Sequence, residues 1–188
     1  MPQRYHRSMG INRCRILMPD GPQQLTIPLV AESTRGALDD ILISEHGRWR
    51  SHHWNALQTA YGKTPFFEFY ADDFRPLFTE VRPPRLADFN AALHAIACRL
   101  IDIPCRLTGD GGEDGGGAGS ADSGTGAATG GYVAAEVRYY QVFAQRLGFQ
   151  PHMSVIDLLC NMGPESVLVL QAMAQGCGPT ATPAHHQP

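Results

Sequence analysis

Histidine, arginine and aromatic side chains are concentrated between residues 43 and 70, where the sequence reads ISEHGRWRSHHWNALQTAYGKTPFFEFY. We predict a helix over residues 47–61 of this stretch, and helical spacing places His53 on the same face as Trp49 and Tyr61. A partly buried imidazole titrates near neutral pH and suits general acid–base catalysis. A core histidine that bonds a backbone carbonyl is the structural alternative, and spacing alone favours it.

Two further basic side chains could contact a substrate. Arg13 lies on a predicted strand, and a guanidinium group can bind a phosphate or carboxylate with two hydrogen bonds. A solvated surface position is the simpler explanation for this arginine. His46 precedes the predicted helix and could reach a pocket at His53. Cys14 is a conceivable nucleophile beside Arg13 and Arg15, but strand alternation points its side chain away from both.

We expect no metal site and no cofactor. His46 and His53, together with Asp39 or Asp157, could supply ligands, but the sequence has no HExxH motif or comparable spacing. The five cysteines are widely spaced and form no CxxC pair, which is typical of reduced thiols. Asp157 lies three residues after Ser154, and we interpret this pair as a helix-capping box rather than as part of a catalytic site.

The elements that must position these residues are predicted to be short strands followed by helices. Residues 12–18 and 24–30 flank a PDGP turn and predict a hairpin, and residues 40–44 predict a third strand. We therefore predict an α+β fold with an N-terminal β-meander packed by helices; a three-layer α/β sheet is the alternative. The predicted helices span residues 47–61, 66–74, 86–100, 139–147, 154–161 and 164–173.

One internal segment and the C-terminal tail have compositions unlike the rest of the chain. Residues 109–131 are small, polar and rich in glycine, so they cannot bury enough apolar surface to offset the entropy of ordering. We predict a single domain over residues 1–175 that is interrupted by this flexible linker. The small, Pro-rich residues 176–188 predict a disordered tail.

Charge and hydropathy exclude several classes of partner. The chain has 15 basic and 18 acidic residues and a net charge of −3, without a basic patch for a nucleic-acid backbone. Its apolar runs are shorter than the ~20 residues that span a bilayer. The start, MPQRYHRSMG, has no apolar signal core. We therefore predict a cytoplasmic protein that acts on a small molecule, with no nucleic-acid partner and no membrane insertion. The sequence does not predict an oligomeric state.

Several segments together resemble one bacterial protein family. They are NRCRI at residues 12–16, LTIPL at 25–29, LDDILISEHGRWR at 38–50, and a run of helix and turn signals over 139–170. In this order they are similar to the WbqC-like family, over residues 5–107 and 137–171. His53-Trp54 and Tyr61 coincide with the family's HW-to-Y motif. Asn161 begins NMGPES, which is similar to its closing motif.

The resemblance implies a function as well as a fold. The family is named after surface-polysaccharide (O-antigen) gene clusters, so we expect a cytoplasmic enzyme of surface-polysaccharide or related small-molecule biosynthesis. The expected reaction is group transfer from an activated sugar, acyl or aminoacyl donor, with His53 as the base. The expected substrate-binding residues are Arg13, His46, Trp49, Trp54, Tyr61 and Asn161.

Two departures from the family pattern keep other interpretations open. Relatives begin with an additional strand and helix, and they carry a more complex segment where residues 109–131 are glycine-rich. We therefore expect an N-terminally shortened member with a linker insertion. Two alternatives to an enzyme stay open: a non-catalytic ligand-binding or scaffold module, and an inactive truncated relative.

Overall fold

The computed structural model describes residues 4–105 and 137–175. The predicted linker at 109–131 and the predicted tail at 176–188 lie outside these residues, so both stay predictions. The described part contains an antiparallel hairpin and helices that pack against it, and it is therefore an α+β protein, as predicted.

Two strands near the start of the chain form the hairpin. Strand β1 is Arg13–Met18 and strand β2 is Gly21–Thr26, with Arg13 opposite Thr26. Gly21 has a φ of +132°, which a glycine adopts at little cost, so β2 begins inside the predicted turn. The second strand therefore starts and ends earlier than predicted.

The predicted third strand at residues 40–44 does not form. Its place is taken by a 3₁₀ turn, Leu38–Asp40, followed by isolated bridges from Ile43 to Leu29 and from Leu42 to Arg85. Pro28 precedes the first bridge and has no N–H to donate, so a continuous ladder cannot extend from β2. The predicted meander is thus a hairpin, and the described residues contain no parallel strand pair for a three-layer sheet.

Six α-helices follow the hairpin in the described residues. Helix α3 coincides with its predicted range because its apolar residues recur at regular helical spacing. Helix α1 begins two residues later than predicted, after Gly47 at a φ of +81°, and α2 continues beyond Phe74 through Pro76. The helices are α1 Trp49–Tyr61, α2 Phe67–Thr79, α3 Leu86–Leu100, α4 Ala144–Leu147, α5 Val155–Met162 and α6 Ser166–Gln175.

The core lies between the hairpin and helices α1, α2, α3 and α5. An aromatic cluster occupies its centre, with Trp54 stacked on Phe78 at 6.0 Å between ring centroids and Phe78 edge-on to Phe89 at 5.8 Å. Ile16 from β1 and Leu159 from α5 are fully buried against it. The core therefore joins residues from both described parts of the chain.

One buried arginine fixes the start of α1. The Nε and Nη2 atoms of Arg50 donate to the Glu45 carboxylate, and Nη1 donates to the carbonyl of Leu77 at 2.8 Å. Its guanidinium carbon lies 4.5 Å from the centre of the Trp49 ring. Because its charge is paired and its donors are engaged, Arg50 is a structural residue that ties the loop before α1 to the end of α2.

Residues 139–141 are not helical because their side chains bind helix α5. Tyr139 donates from Oη to Asp157 Oδ2 at 2.8 Å, and Gln141 donates from Nε2 to the same oxygen at 3.0 Å. The predicted helix over 139–147 is consequently reduced to the single turn α4.

The predicted capping box at the start of α5 is wrong. Ser154 is the N-cap residue, but its side chain makes no capping hydrogen bond. Asp157 cannot reach back to the N-cap because its carboxylate is buried and accepts from Tyr139 and Gln141. The aspartate therefore anchors the preceding segment instead of capping its own helix.

The helical stretch Val155–Gln175 has the length and composition of a membrane-spanning segment. Half of it is buried inside the protein, which is typical of a core helix. A 3₁₀ turn at Gly163–Glu165 also interrupts it. The absence of membrane insertion stays a prediction.

Candidate functional site

A cavity of about 440 Å³ lies between the hairpin, α1, α2, α3 and the start of α5. We call it the His53 cavity. Most of its wall is apolar, and this volume is in the range of small-molecule sites. The apolar wall includes Leu25, Leu57, Phe74, Phe78, Phe89 and Leu93. Polar side chains that also line it are Asn12, Arg13, Cys14, His53, Asn90, His94 and Ser154.

Helix α1 places His53 in the wall of this cavity. Only 8% of the residue is exposed, and its ring meets the Trp49 ring edge-on at 5.1 Å. Burial lowers the pKa of the His53 imidazole; a backbone contact with Thr26 raises it, and the neighbouring His52 lowers it. The imidazole is therefore neutral at neutral pH, which is the form that can accept a proton.

Two buried oxygens of the cavity-lining side chains have no hydrogen-bond partner among the described residues. They are Asn12 Oδ1 and Ser154 Oγ. The amide of Asn12 is held in place because its Nδ2 donates to the carbonyl of Ile27 at 2.9 Å. The Ser154 N–H donates to the carbonyl of Arg15 at 2.9 Å and fixes the start of α5 beside β1. A buried acceptor without a donor costs about 1–3 kcal/mol.

Cys14 also lines the cavity, on strand β1. Burial raises the pKa of its thiol to about 11. The thiol is therefore protonated at neutral pH, and an apolar wall is its better explanation than a nucleophile.

Of the predicted substrate-binding residues, Arg13 lines the His53 cavity and Trp49 contacts the His53 ring. Arg13 is exposed and lines the cavity from strand β1. Trp49 is buried, contacts the His53 ring and donates from Nε1 to the carbonyl of Ser44 at 3.0 Å. Arg13 is therefore a residue of the cavity wall, and Trp49 supports the His53 ring.

The other four predicted binding residues are outside the cavity lining. His46 is exposed in the loop before α1. Trp54 is buried in the aromatic cluster, and the buried Tyr61 accepts at Oη from the N–H of Leu17 at 3.2 Å. Asn161 accepts the N–H of residue 142 at Oδ1 and donates from Nδ2 to the carbonyl of residue 157. Their contacts are structural, and their roles in binding stay predictions.

The sequence does not predict Asn12 or Ser154 as site residues. Asn12 begins the family-like segment NRCRI, and Ser154 has the position of a helix cap. Their common signal is a short polar residue at the start of an element, which usually indicates capping. Only the folded chain shows that both oxygens are left without a protein donor.

Comparison with known proteins places the chain in a family. The profile of the WbqC-like protein family matches residues 3–110. The chain belongs to the WbqC-like family. The matched range contains the hairpin, α1, α2 and α3, and hence Asn12 and His53 of the cavity. Ser154 and Asn161 lie beyond it.

This WbqC-like chain is also similar to an uncharacterized protein, Rv1507c, of Mycobacterium tuberculosis. The two are 25% identical over 181 residues, which cover 82% of this chain and 78% of the relative. No solved structure matches the chain.

Proposed function

We propose that this WbqC-like protein is a transferase that moves an acyl or aminoacyl group in surface-polysaccharide or related small-molecule biosynthesis. The His53 cavity is its active site. The single observation that carries the proposal is a buried, neutral histidine in the wall of an apolar cavity of about 440 Å³. The polysaccharide setting comes from the family resemblance.

The lining of the cavity favours an acyl donor over a free sugar. Apolar and aromatic side chains form most of the wall, and they recover free energy by covering an alkyl or aromatic group. A sugar ring needs hydrogen-bond partners around its whole edge, whereas most of the lining residues are apolar. Asn12 Oδ1 is buried at the wall, and a small shift of the wall would let it accept an N–H, such as that of an aminoacyl group or of an amide near a thioester. Arg13 can pair with an acidic group of the donor at the exposed edge.

The proposed reaction uses His53 as both base and acid. The imidazole takes the proton of an acceptor hydroxyl or amine while the acceptor oxygen or nitrogen attacks the thioester carbonyl carbon. The tetrahedral intermediate then collapses, the C–S bond breaks and the leaving thiolate receives the proton from the imidazolium. No covalent protein intermediate is required, in keeping with the protonated thiol of Cys14.

The test is transfer by the full-length protein, followed by mass spectrometry of the products. Acyl- and aminoacyl-thioester donors would be combined with hydroxyl and amine acceptors, and nucleotide sugars would form the comparison panel. His53→Gln should reduce the rate by about 10²–10⁴-fold, the usual contribution of a general acid–base residue. Thioester binding, followed by tryptophan fluorescence, should persist in that variant.

His52→Gln is the matched control because it changes the adjacent histidine, which is exposed. It should transfer at the wild-type rate. Equal rates in wild type and His53→Gln would contradict the proposal. Thioester binding without any transfer would instead favour a binding module, for which the contact of His53 with the Thr26 backbone is the supporting observation.

A further inference from the structure

We propose that His94, Cys98 and Cys105 form a binding site for one thiophilic divalent metal ion of the zinc type, at the wall of the His53 cavity. The described residues contain one group of three metal-ligating side chains whose ligand atoms all lie within 4.8 Å of one another, and it is this one. The site does not depend on the transferase function proposed above.

The local fold brings the three side chains together. His94 and Cys98 are one turn apart on α3 and therefore share a face. The helix ends at Leu100, and Asp102 has a φ of +53°, which reverses the chain. The N–H of Ile103 then bonds to the carbonyl of Cys98 at 3.0 Å, and Cys105 returns to the same helix face.

The distances between ligand atoms fit a tetrahedral ion. His94 Nδ1 lies 3.4 Å from Cys105 Sγ, and Cys98 Sγ lies 4.0 Å from Nδ1 and 3.6 Å from Nε2 of the same ring. Zn–S bonds of about 2.3 Å and Zn–N bonds of about 2.0 Å place tetrahedral N and S ligands roughly 3.5 Å apart. One ion bound to Nδ1 would reach both sulfurs once the imidazole turns so that Nδ1 faces Cys98 as well as Cys105. Two cysteines and a histidine are the soft ligand set that zinc prefers.

The position of the cluster suits an accessible ion rather than a closed structural one. Cys98 is buried, whereas His94 and Cys105 are exposed, so an ion can enter from solvent. Three protein ligands leave the fourth tetrahedral position to water or a substrate atom. His94 and Cys98 also line the cavity that contains His53, so this fourth position is available to a ligand in the cavity. Arg99, the basic residue next to Cys98, is paired with Asp73 on α2.

Cobalt binding to the full-length protein tests the site. The reduced protein would be treated with a chelator and titrated with Co²⁺, followed by visible and near-ultraviolet absorption, and then with Zn²⁺. We expect one Co²⁺ per chain with a thiolate-to-cobalt charge-transfer band and tetrahedral d–d bands, and displacement by one Zn²⁺. Cys105→Ser and His94→Gln change exposed residues. Substitution of a residue that only supports a metal ligand weakens metal binding by ~10–100-fold. Each of these two variants should weaken Zn²⁺ binding by more than that and leave the circular dichroism spectrum unchanged.

Four other potential ligands of the chain serve as controls. Cys14→Ala changes a cysteine outside the cluster, and a Cys177→Ser, His185→Ala, His186→Ala variant removes the ligands of the tail. Both should bind cobalt as wild type does. An octahedral spectrum without a thiolate band, or a band that survives in Cys105→Ser, would overturn the proposal. Loss of two titratable thiols on air oxidation, with no metal bound by the reduced protein, would assign Cys98 and Cys105 to a disulfide and also overturn it.

Discussion

At the scale of single residues, the candidate site depends on which polar groups the fold leaves unpaired. His53 could be selected from sequence because helical spacing set it among aromatic residues. Its depressed pKa could not, since that results from burial by residues distant in sequence. Asn12 could not be selected at all. Its partner is the carbonyl of Ile27, and the free Oδ1 is evident only once the amide is held there among the described residues.

His53 should make the stability of the protein depend on pH. Above the unfolded pKa near 6.5 the imidazole is neutral in both states, so its contribution is fully present. As the pH falls through this value, the unfolded chain takes up a proton that the folded chain, whose pKa is lowered, does not, and stability is lost. Urea unfolding of His53→Gln should therefore show a smaller loss of unfolding free energy on acidification than wild type. A parallel pair of curves would contradict the neutral histidine. His46→Gln, which changes an exposed histidine in the loop before α1, is the control.

At the scale of elements, regular patterns were predictable and long-range contacts were not. Helix α3 agreed with its predicted range because its apolar stripe is a local property. The third strand failed because Pro28 stops the ladder, and the helix over 139–147 failed because Tyr139 and Gln141 bind Asp157 instead. In each failure a partner far along the chain outweighed local propensity.

The buried carboxyl group of Asp157 should destabilise the protein as the pH rises. Burial raises its pKa, and hydrogen bonds from Tyr139 and Gln141 act in the opposite direction. Its contribution is therefore fully present below the unfolded pKa near 3.9 and is lost as the pH rises through the folded pKa. Asp157→Asn keeps an oxygen acceptor for both donors but does not ionise. The unfolding free energy of this variant should therefore fall less than that of wild type between about pH 4 and pH 7.

Denaturant unfolding at several pH values measures this difference. Asp39→Asn, which changes an exposed aspartate, is the control and should follow wild type. A variant that loses stability with pH as steeply as wild type would show that Asp157 is not the source.

The junction between α5 and α6 should tolerate no side chain at Gly163. Its φ is +57°, and an added Cβ would lie 2.5 Å from the Phe66 ring. Gly47 also has a positive φ, +81°, but an added Cβ there meets no atom within 4 Å. Gly47→Ala should cost about 1–2 kcal/mol from backbone strain alone. Gly163→Ala should lower the free energy of unfolding by about 1–3 kcal/mol more than Gly47→Ala does, because the added methyl group overpacks against Phe66. Equal losses in thermal unfolding would show that the Phe66 contact is unimportant.

At the scale of the whole molecule, the cavity exists because the hairpin and the helices meet around it without filling it. Its wall combines residues of β1, β2, α1, α2 and α3 with Ser154 at the start of α5. The α+β class and the family membership could be predicted from sequence, since each follows from local segments in order. The cavity could not be predicted from sequence, because its volume depends on how closely elements that are far apart in the chain pack against one another.

A larger side chain in the cavity wall should block ligand binding. Ala97 on α3 is buried and lines the cavity, whereas Ala95 on the same helix is exposed. Ala97→Leu should weaken the binding of an acyl-coenzyme A by at least ~10-fold, which corresponds to about 1.4 kcal/mol. Ala95→Leu should bind as wild type does. Isothermal titration calorimetry measures both, and equal affinities would place the ligand outside the cavity.

An NMR titration of His53 in the full-length, ¹³C-histidine-labelled protein tests most directly whether this histidine is the base of a ligand-binding cavity. The signal would be assigned by its absence in His53→Gln and followed with pH, before and after an acyl-coenzyme A is added. We expect a pKa below the usual histidine value and a clear change of the His53 signal when the thioester binds. A His53 signal with an ordinary pKa that does not respond to the thioester would contradict the claim that this histidine is the base of a ligand-binding cavity.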